Sequence, residues 1–108
     1  MSNAPMMTAE ALRQSVERDD APPSGIGDPL VALWHAGKGE LERAYDVIAG
    51  NTSREAAWVR AHLHRRKGEE EEAADWYRKA GKDPSGDGID DEWLHIAAGV
   101  TPGLLLRP

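Results

Sequence analysis

The sequence contains no cysteine, no phenylalanine and no long apolar run. Without cysteine the chain can form neither a disulfide nor a thiolate metal site. A helix that crosses a bilayer needs about 18–20 predominantly apolar residues, and no stretch of this chain approaches that length. The beginning of the chain also lacks the basic flank and the apolar stretch of a secretory signal. We therefore expect a cytoplasmic protein without a membrane partner.

Basic charge is scarce as well. The chain has 13 Lys and Arg against 19 Asp and Glu, which gives a formal net charge of −6. Because a nucleic-acid backbone is bound by a positive field, this balance argues against a nucleic-acid partner. A basic run at residues 64–67 is followed at once by four glutamates. We interpret this run as cations that end one helix and anions that begin the next.

Aromatic bulk must come from four tryptophans and two tyrosines, since phenylalanine is absent. The length of 108 residues gives room for one domain with a modest core. Large aromatic side chains dominate the energetics of such a core. The sequence therefore predicts that the tryptophans anchor it, namely Trp34, Trp58, Trp76 and Trp93.

Apolar residues recur with helical spacing along most of the chain and predict an all-α protein. The predicted helices cover about 8–18, 28–37, 40–49, 52–67, 69–80 and 90–100. Thr8 is expected to cap the first helix, and Asp28 to cap the second with Pro29 at its first position. Thr52 and Glu55 match a capping box for the fourth helix.

An internal repeat is the strongest signal in the sequence. Shifting the chain by 29 positions aligns eight identical pairs between residues 32–46 and residues 61–75, and the predicted helix boundaries coincide under the same shift. The identical pairs are Ala32/Ala61, His35/His64, Lys38/Lys67, Gly39/Gly68, Glu40/Glu69, Glu42/Glu71, Ala44/Ala73 and Asp46/Asp75. The sequence thus predicts one duplicated helical hairpin.

The second unit resembles a tetratricopeptide repeat (TPR) and its SEL-like relatives. The resemblance rests on residues at the packing positions of that repeat, which are Ala61, Gly68, Ala73, Tyr77, Ala80 and Pro84. The first unit keeps Ala32, Gly39 and Ala44, with Ile48 in place of the aromatic residue. The resemblance implies two tandem TPR-like hairpins, with an N-terminal helix and a C-terminal capping helix.

The sequence also departs from the TPR pattern. Arg60 and His64 stand where that pattern prefers Leu and Tyr, and Trp58 is one position from the usual Trp. The period is 29 residues, whereas a TPR has about 34. Residues 29–98 also resemble small uncharacterised bacterial and fungal TPR-like proteins, a resemblance that implies no activity.

The expected organisation has three parts. Residues 1–27 form the N-terminal helix and a flexible linker, residues 28–100 the TPR-like helical repeat domain, and residues 101–108 a tail. The linker prediction rests on the Pro- and Gly-rich segment 21–27. A face beside Leu30, Val31 and Trp34 is expected to be poorly covered, and Leu104, Leu105 and Leu106 add an apolar tail. Repeat arrays need covered ends, so these surfaces predict a homodimer.

No catalytic motif is present, and we expect a protein that is not an enzyme and has no cofactor. His62 and His64 are two apart, and no His pair has the i, i+4 spacing typical of a zinc helix. His35 and His64 occupy equivalent repeat positions, where we expect half-buried, hydrogen-bonded substitutes for a packed tyrosine. No metal site is therefore predicted, although a small-molecule or metal-binding protein that uses the histidines is the alternative function.

The expected function is a non-catalytic protein-interaction module. TPR hairpins line a concave groove with their first helices, and in the second unit those positions fall on Trp58, His62, Arg65 and Arg66. An aromatic ring with a histidine and two arginines can bind an acidic peptide by stacking and bidentate hydrogen bonds. The alternative for Trp58 is that the C-terminal helix covers it as part of the core.

Overall fold

The computed structural model describes residues 8–100, which form six α-helices and, within this range, no strand. The helices are α1 (Ala9–Arg18), α2 (Asp28–Gly37), α3 (Leu41–Val47), α4 (Arg54–Arg66), α5 (Glu70–Ala80) and α6 (Ile89–Val100). The predicted all-α class is confirmed, with helix ends displaced by one or two residues. None of the described helices has the length and apolar character that crossing a bilayer requires. The predicted tail at 101–108 lies outside the described residues.

Two of the predicted helix caps are wrong in detail. The backbone N–H of Ala56 donates to Ser53 Oγ at 3.1 Å, so Ser53 caps α4 in place of Thr52. Gly27 has the extended backbone of an N-cap, and Asp28 lies within the first turn of α2. There its carboxylate complements the positive end of the helix dipole. Thr8 caps α1 as predicted, since it accepts from the N–H of Ala11 at 3.0 Å.

The turns that join α2 to α3 and α4 to α5 have the same local geometry. Gly39 and Gly68 adopt φ values of +84° and +78°, a region that favours glycine. The N–H of Glu40 donates to the carbonyl of His35, and that of Glu69 to the carbonyl of His64, each at 2.9 Å. The two turns therefore repeat locally with the same 29-residue offset that the sequence shows.

The same residues also pair through their side chains. His35 Nδ1 lies 2.8 Å from Glu40 Oε1, and His64 Nδ1 lies 2.7 Å from Glu69 Oε1. Each hydrogen bond lowers the pKa of its glutamate. Both histidines are packed and hydrogen-bonded as predicted; His64 is half-buried, whereas His35 is buried more deeply than the prediction had it.

Three of the four tryptophans lie in the core. Trp34, Trp58 and Trp93 are 1%, 8% and 4% exposed. Trp76 is only half-buried, so the prediction that it anchors the core is wrong. Its ring packs against the edge of the core while cationic side chains flank it on the solvent side.

The first and last helices both pack against α2. Trp34 Nε1 on α2 donates to Ser15 Oγ on α1 at 3.0 Å, and Trp93 Nε1 on α6 donates to the carbonyl of Leu33 at 2.7 Å. Leu30 and Trp34 are buried and Val31 is half-buried, so the prediction that the face beside these three residues is poorly covered is wrong. The homodimer remains a prediction, but the face beside Leu30 and Trp34 no longer supports it.

Candidate functional site

The predicted groove residues lie on α4, but α6 packs against this helix. Gly99 of α6 lies so close to Trp58 that a Cβ there would come within 2.6 Å of the ring. His62 is fully buried. His62 is therefore not accessible to a ligand, and Trp58 is only 8% exposed. Trp58 is a core residue covered by the C-terminal helix, which is the alternative that the sequence left open.

Behind this covered face lies a buried polar network centred on Glu92, which is 2% exposed. Its Oε1 accepts from His62 Nδ1 at 2.9 Å and from Arg65 Nη1 at 3.0 Å, and its Oε2 accepts from the hydroxyl of Tyr77. The three donors come from α4 and α5, whereas the carboxylate belongs to α6. Because a buried carboxylate needs such partners, the network holds α6 on the other two helices.

The hydrogen bonds of His62 determine its tautomer. Arg66 Nε donates to His62 Nε2 at 2.7 Å, and an arginine cannot accept a hydrogen bond. Nε2 is therefore unprotonated, and Nδ1 carries the proton donated to Glu92. Burial lowers the pKa of His62, and the neighbouring Arg66 lowers it further, against the opposing effect of Glu92. The ring is a neutral link between a guanidinium and a carboxylate.

The carboxyl group of Glu92 is held in its charged form. Burial by itself raises the pKa of Glu92, but the hydrogen bonds from His62, Tyr77 and Arg65 oppose that effect, and the pKa is lowered overall. Burial and the neighbouring carboxylate raise the pKa of Tyr77 above its usual value, so its hydroxyl stays a donor. Both ring nitrogens of His62 are occupied, so this cluster acts as a cross-link between helices.

Sequence reasoning placed His62 and Arg65 correctly on one helix but missed Glu92. No role was predicted for that glutamate. The helical spacing carried a usable signal, because Glu92 precedes the buried Ile96 by four residues and so shares its face. A carboxylate on the apolar face of a helix indicates a buried partner elsewhere in the chain.

We predict that this network makes stability depend on pH. His62 takes up a proton in the unfolded chain near its ordinary pKa of 6.5 but resists it in the folded chain, since its folded pKa is lower. The free energy of unfolding should therefore fall as the pH drops below 6.5, by at most about 1.4 kcal/mol per pH unit from this group. The lowered pKa values of Glu40, Glu69 and Glu92 add a separate loss below pH 4.5.

Urea unfolding at a series of pH values, with ¹⁵N NMR of the imidazoles, measures this dependence. His62 should remain the neutral Nδ1–H tautomer at pH 6.5, and His62→Asn should flatten the stability profile between pH 5 and 6.5. A charged His62 imidazolium in the folded protein at pH 6.5 would contradict the assignment.

An accessible cleft of about 360 Å³ lies where the end of α3 meets α4 and α5. Its lining consists of Ala49, Asn51, Thr52, Ser53, Ala57, Arg60, Trp76 and Lys79. The Arg60 guanidinium lies 4.9 Å and Lys79 Nζ 4.2 Å from the centroid of the Trp76 ring. Arg60 Nη2 also donates to the carbonyls of Ile48 and Ala49, at 2.8 and 3.2 Å. These bonds hold one of the two cations in a defined position beside the ring.

Each of the three histidines with a predicted role uses its Nδ1 for a glutamate. Within residues 8–100, no group of three or more His, Asp or Glu side chains is arranged to hold a metal ion. Comparison with protein-family models, with curated proteins and with solved structures finds no match for this chain.

Proposed function

We propose that this chain is a non-catalytic protein-interaction module, built on two tandem TPR-like hairpins, that binds an acidic segment of a partner protein. Support for the hairpins comes from the two turns, which share glycine conformation and His–Glu pairing at a 29-residue offset. In this proposal α2 with α3 and α4 with α5 are the repeat units, and α6 is the capping helix.

The observation that carries the binding proposal is the half-buried Trp76 in an open cleft between two cations. An aromatic ring and an arginine are the side chains most enriched where protein partners bind tightly. A partner carboxylate placed near Lys79 and Arg60 gains charge-assisted hydrogen bonds, while its neighbouring apolar group packs on the indole. The sequence suggested that an aromatic ring and cations on α4 bind an acidic peptide. We propose the same kind of recognition for the cleft at Trp76.

The charge distribution favours an acidic partner over a basic one. Neither Arg60 nor Lys79 forms an ion pair with any carboxylate in the described part of the chain. In a protein with a formal net charge of −6, two unpaired cations beside an aromatic ring form a local positive site. Such a site selects against basic segments and towards acidic ones.

The test is an NMR titration of ¹⁵N-labelled protein with short peptides that combine Asp or Glu with one apolar residue. Matched peptides carry Asn or Gln at the acidic positions. We expect the acidic peptides to shift the Trp76 indole N–H, and Lys79→Glu to weaken their binding at least about tenfold, with a smaller loss at high salt.

Lys38→Glu is the matched control. Lys38 lies 5.1 Å from the ring of Trp34, but that ring is buried, so the same change of charge occurs without an accessible aromatic face. Binding should be retained in this variant. An equal loss of peptide affinity in both variants would indicate a non-specific effect of charge. If no acidic peptide shifts the Trp76 indole resonance, the proposal is wrong.

A further inference from the structure

A second cleft, of about 200 Å³, lies between α1 and α6 on another part of the molecule. It shares no residue with the cleft at Trp76. Arg13, Val16 and Glu17 line it from α1, Gly37 from the end of α2, Arg66 from the end of α4, and Asp90 and Trp93 from α6. Side chains of three helices and the backbone of α2 at Gly37 thus line one small, half-open volume.

The guanidinium of Arg66 is the unusual group in this cleft. Arg66 is half-buried, and burial lowers its pKa against the opposing effect of Asp90. It donates one hydrogen bond, from Nε to His62, and forms no ion pair among residues 8–100. An arginine has five N–H donors, and the Nη groups of Arg66 are accessible to solvent and form no hydrogen bond within the described residues. The remaining donors therefore fit a carboxylate that enters the cleft.

A hydrogen bond to a buried histidine orients this guanidinium. Its Nε is held by His62, which is fully buried and is itself held by the buried Glu92. Because the guanidinium is planar, anchoring Nε fixes the direction of both Nη groups. A fixed pair of N–H donors is the arrangement that binds a carboxylate through two parallel hydrogen bonds.

The other charges of the cleft define the rest of the ligand. Arg13 adds a second cation, paired with Glu17 at 3.7 Å across a partly exposed surface. Glu17 and Asp90 supply two carboxylates, so the charges of the cleft balance. A simple anion would be repelled by those carboxylates, whereas a ligand with both a carboxylate and an ammonium group finds a partner for each. Val16 and Trp93 provide an apolar wall for its side chain.

We infer that this cleft binds a small zwitterion, namely a free amino acid with an aliphatic side chain. A volume of about 200 Å³ in a half-open cleft limits the ligand to about the size of a small free amino acid. This site is independent of the acidic-peptide site proposed at Trp76. Its ligand is defined by charges of both signs within one small cleft.

Titration calorimetry of the whole chain with L-valine and L-leucine tests the inference. Two comparators separate the charges of the ligand: 4-methylpentanoate lacks the ammonium group of leucine, and 3-methylbutylamine lacks its carboxylate. We expect saturable binding of at least one amino acid at millimolar concentration, and at least about tenfold weaker binding of both comparators.

Arg66→Gln should abolish that binding, and Arg43→Gln, which removes an exposed cation of α3 outside the cleft, should retain it. Arg13→Gln on the surface of α1 gives a second variant if Arg66→Gln does not fold. Lys79→Glu should leave amino-acid binding unchanged, which separates this result from the peptide experiment. Binding of 4-methylpentanoate as tight as that of leucine, or no saturable binding by either amino acid, would overturn the inference.

Discussion

Replacing Glu92 with Ala is expected to lower the free energy of unfolding by about 3–5 kcal/mol. The substitution leaves Arg65, His62 and Tyr77 with donors whose shared acceptor is gone. His62 is fully buried and Arg65 is 18% exposed, so water cannot readily replace the carboxylate. The loss should therefore resemble the breaking of a buried ion pair, because an uncompensated charge remains.

Urea unfolding followed by far-UV circular dichroism measures the effect at neutral pH. Asp91→Ala is the matched control, since Asp91 is the exposed neighbour of Glu92 on the same helix. That control should stay within about 0.5 kcal/mol of the unsubstituted chain. Glu92→Gln keeps the shape of the side chain but removes its charge, and should fall between the two. A loss below about 1 kcal/mol for Glu92→Ala would contradict the network as an energetic cross-link.

The second large effect is expected at Trp34, where substitution by Ala should cost about 3–5 kcal/mol. Trp34 is 1% exposed, and its indole N–H donates to Ser15 on α1. Its removal leaves a cavity in the core and eliminates the hydrogen bond between α2 and α1. The hydroxyl of Ser15 also donates to Asp19 at 2.8 Å. In the variant this hydroxyl no longer accepts a hydrogen bond from the indole of residue 34.

Trp76→Ala provides the comparison for Trp34→Ala. Trp76 is half-buried at the edge of the core, so its truncation removes less buried surface and leaves no enclosed cavity. We expect a destabilisation less than half that of Trp34→Ala in the same urea experiment. Equal losses in the two variants would falsify the ranking of the tryptophans by burial.

Local structure was predictable because its causes are local. The alternation of apolar and polar residues with helical period predicted the number and type of the helices, and glycines at 39 and 68 predicted the turns. The caps were less accurate, since Thr52 and Ser53 are both good caps and only the backbone conformation separates them. The repeat also predicted that His35 and His64 occupy equivalent packed positions.

The candidate sites were less predictable because they depend on contacts between distant segments. A helical pattern identifies the apolar face of α4, but it does not say which helix covers that face. Trp58 and Trp76 look equally suited to the core in sequence, and only the packing of α6 buries the first while the second keeps an accessible ring.

The sequence by itself determined the helices and the turns, since each follows from residues within about four positions of one another. It also determined the 29-residue offset, because identical residues recur at that spacing. Only the tertiary structure decided that Glu92 meets His62, 30 positions earlier, and that Arg66 faces a cleft with Arg13. The physical reason is that a buried charge is stable only beside its partners, and those of Glu92 come from other helices. The order of residues along one helix does not specify those partners.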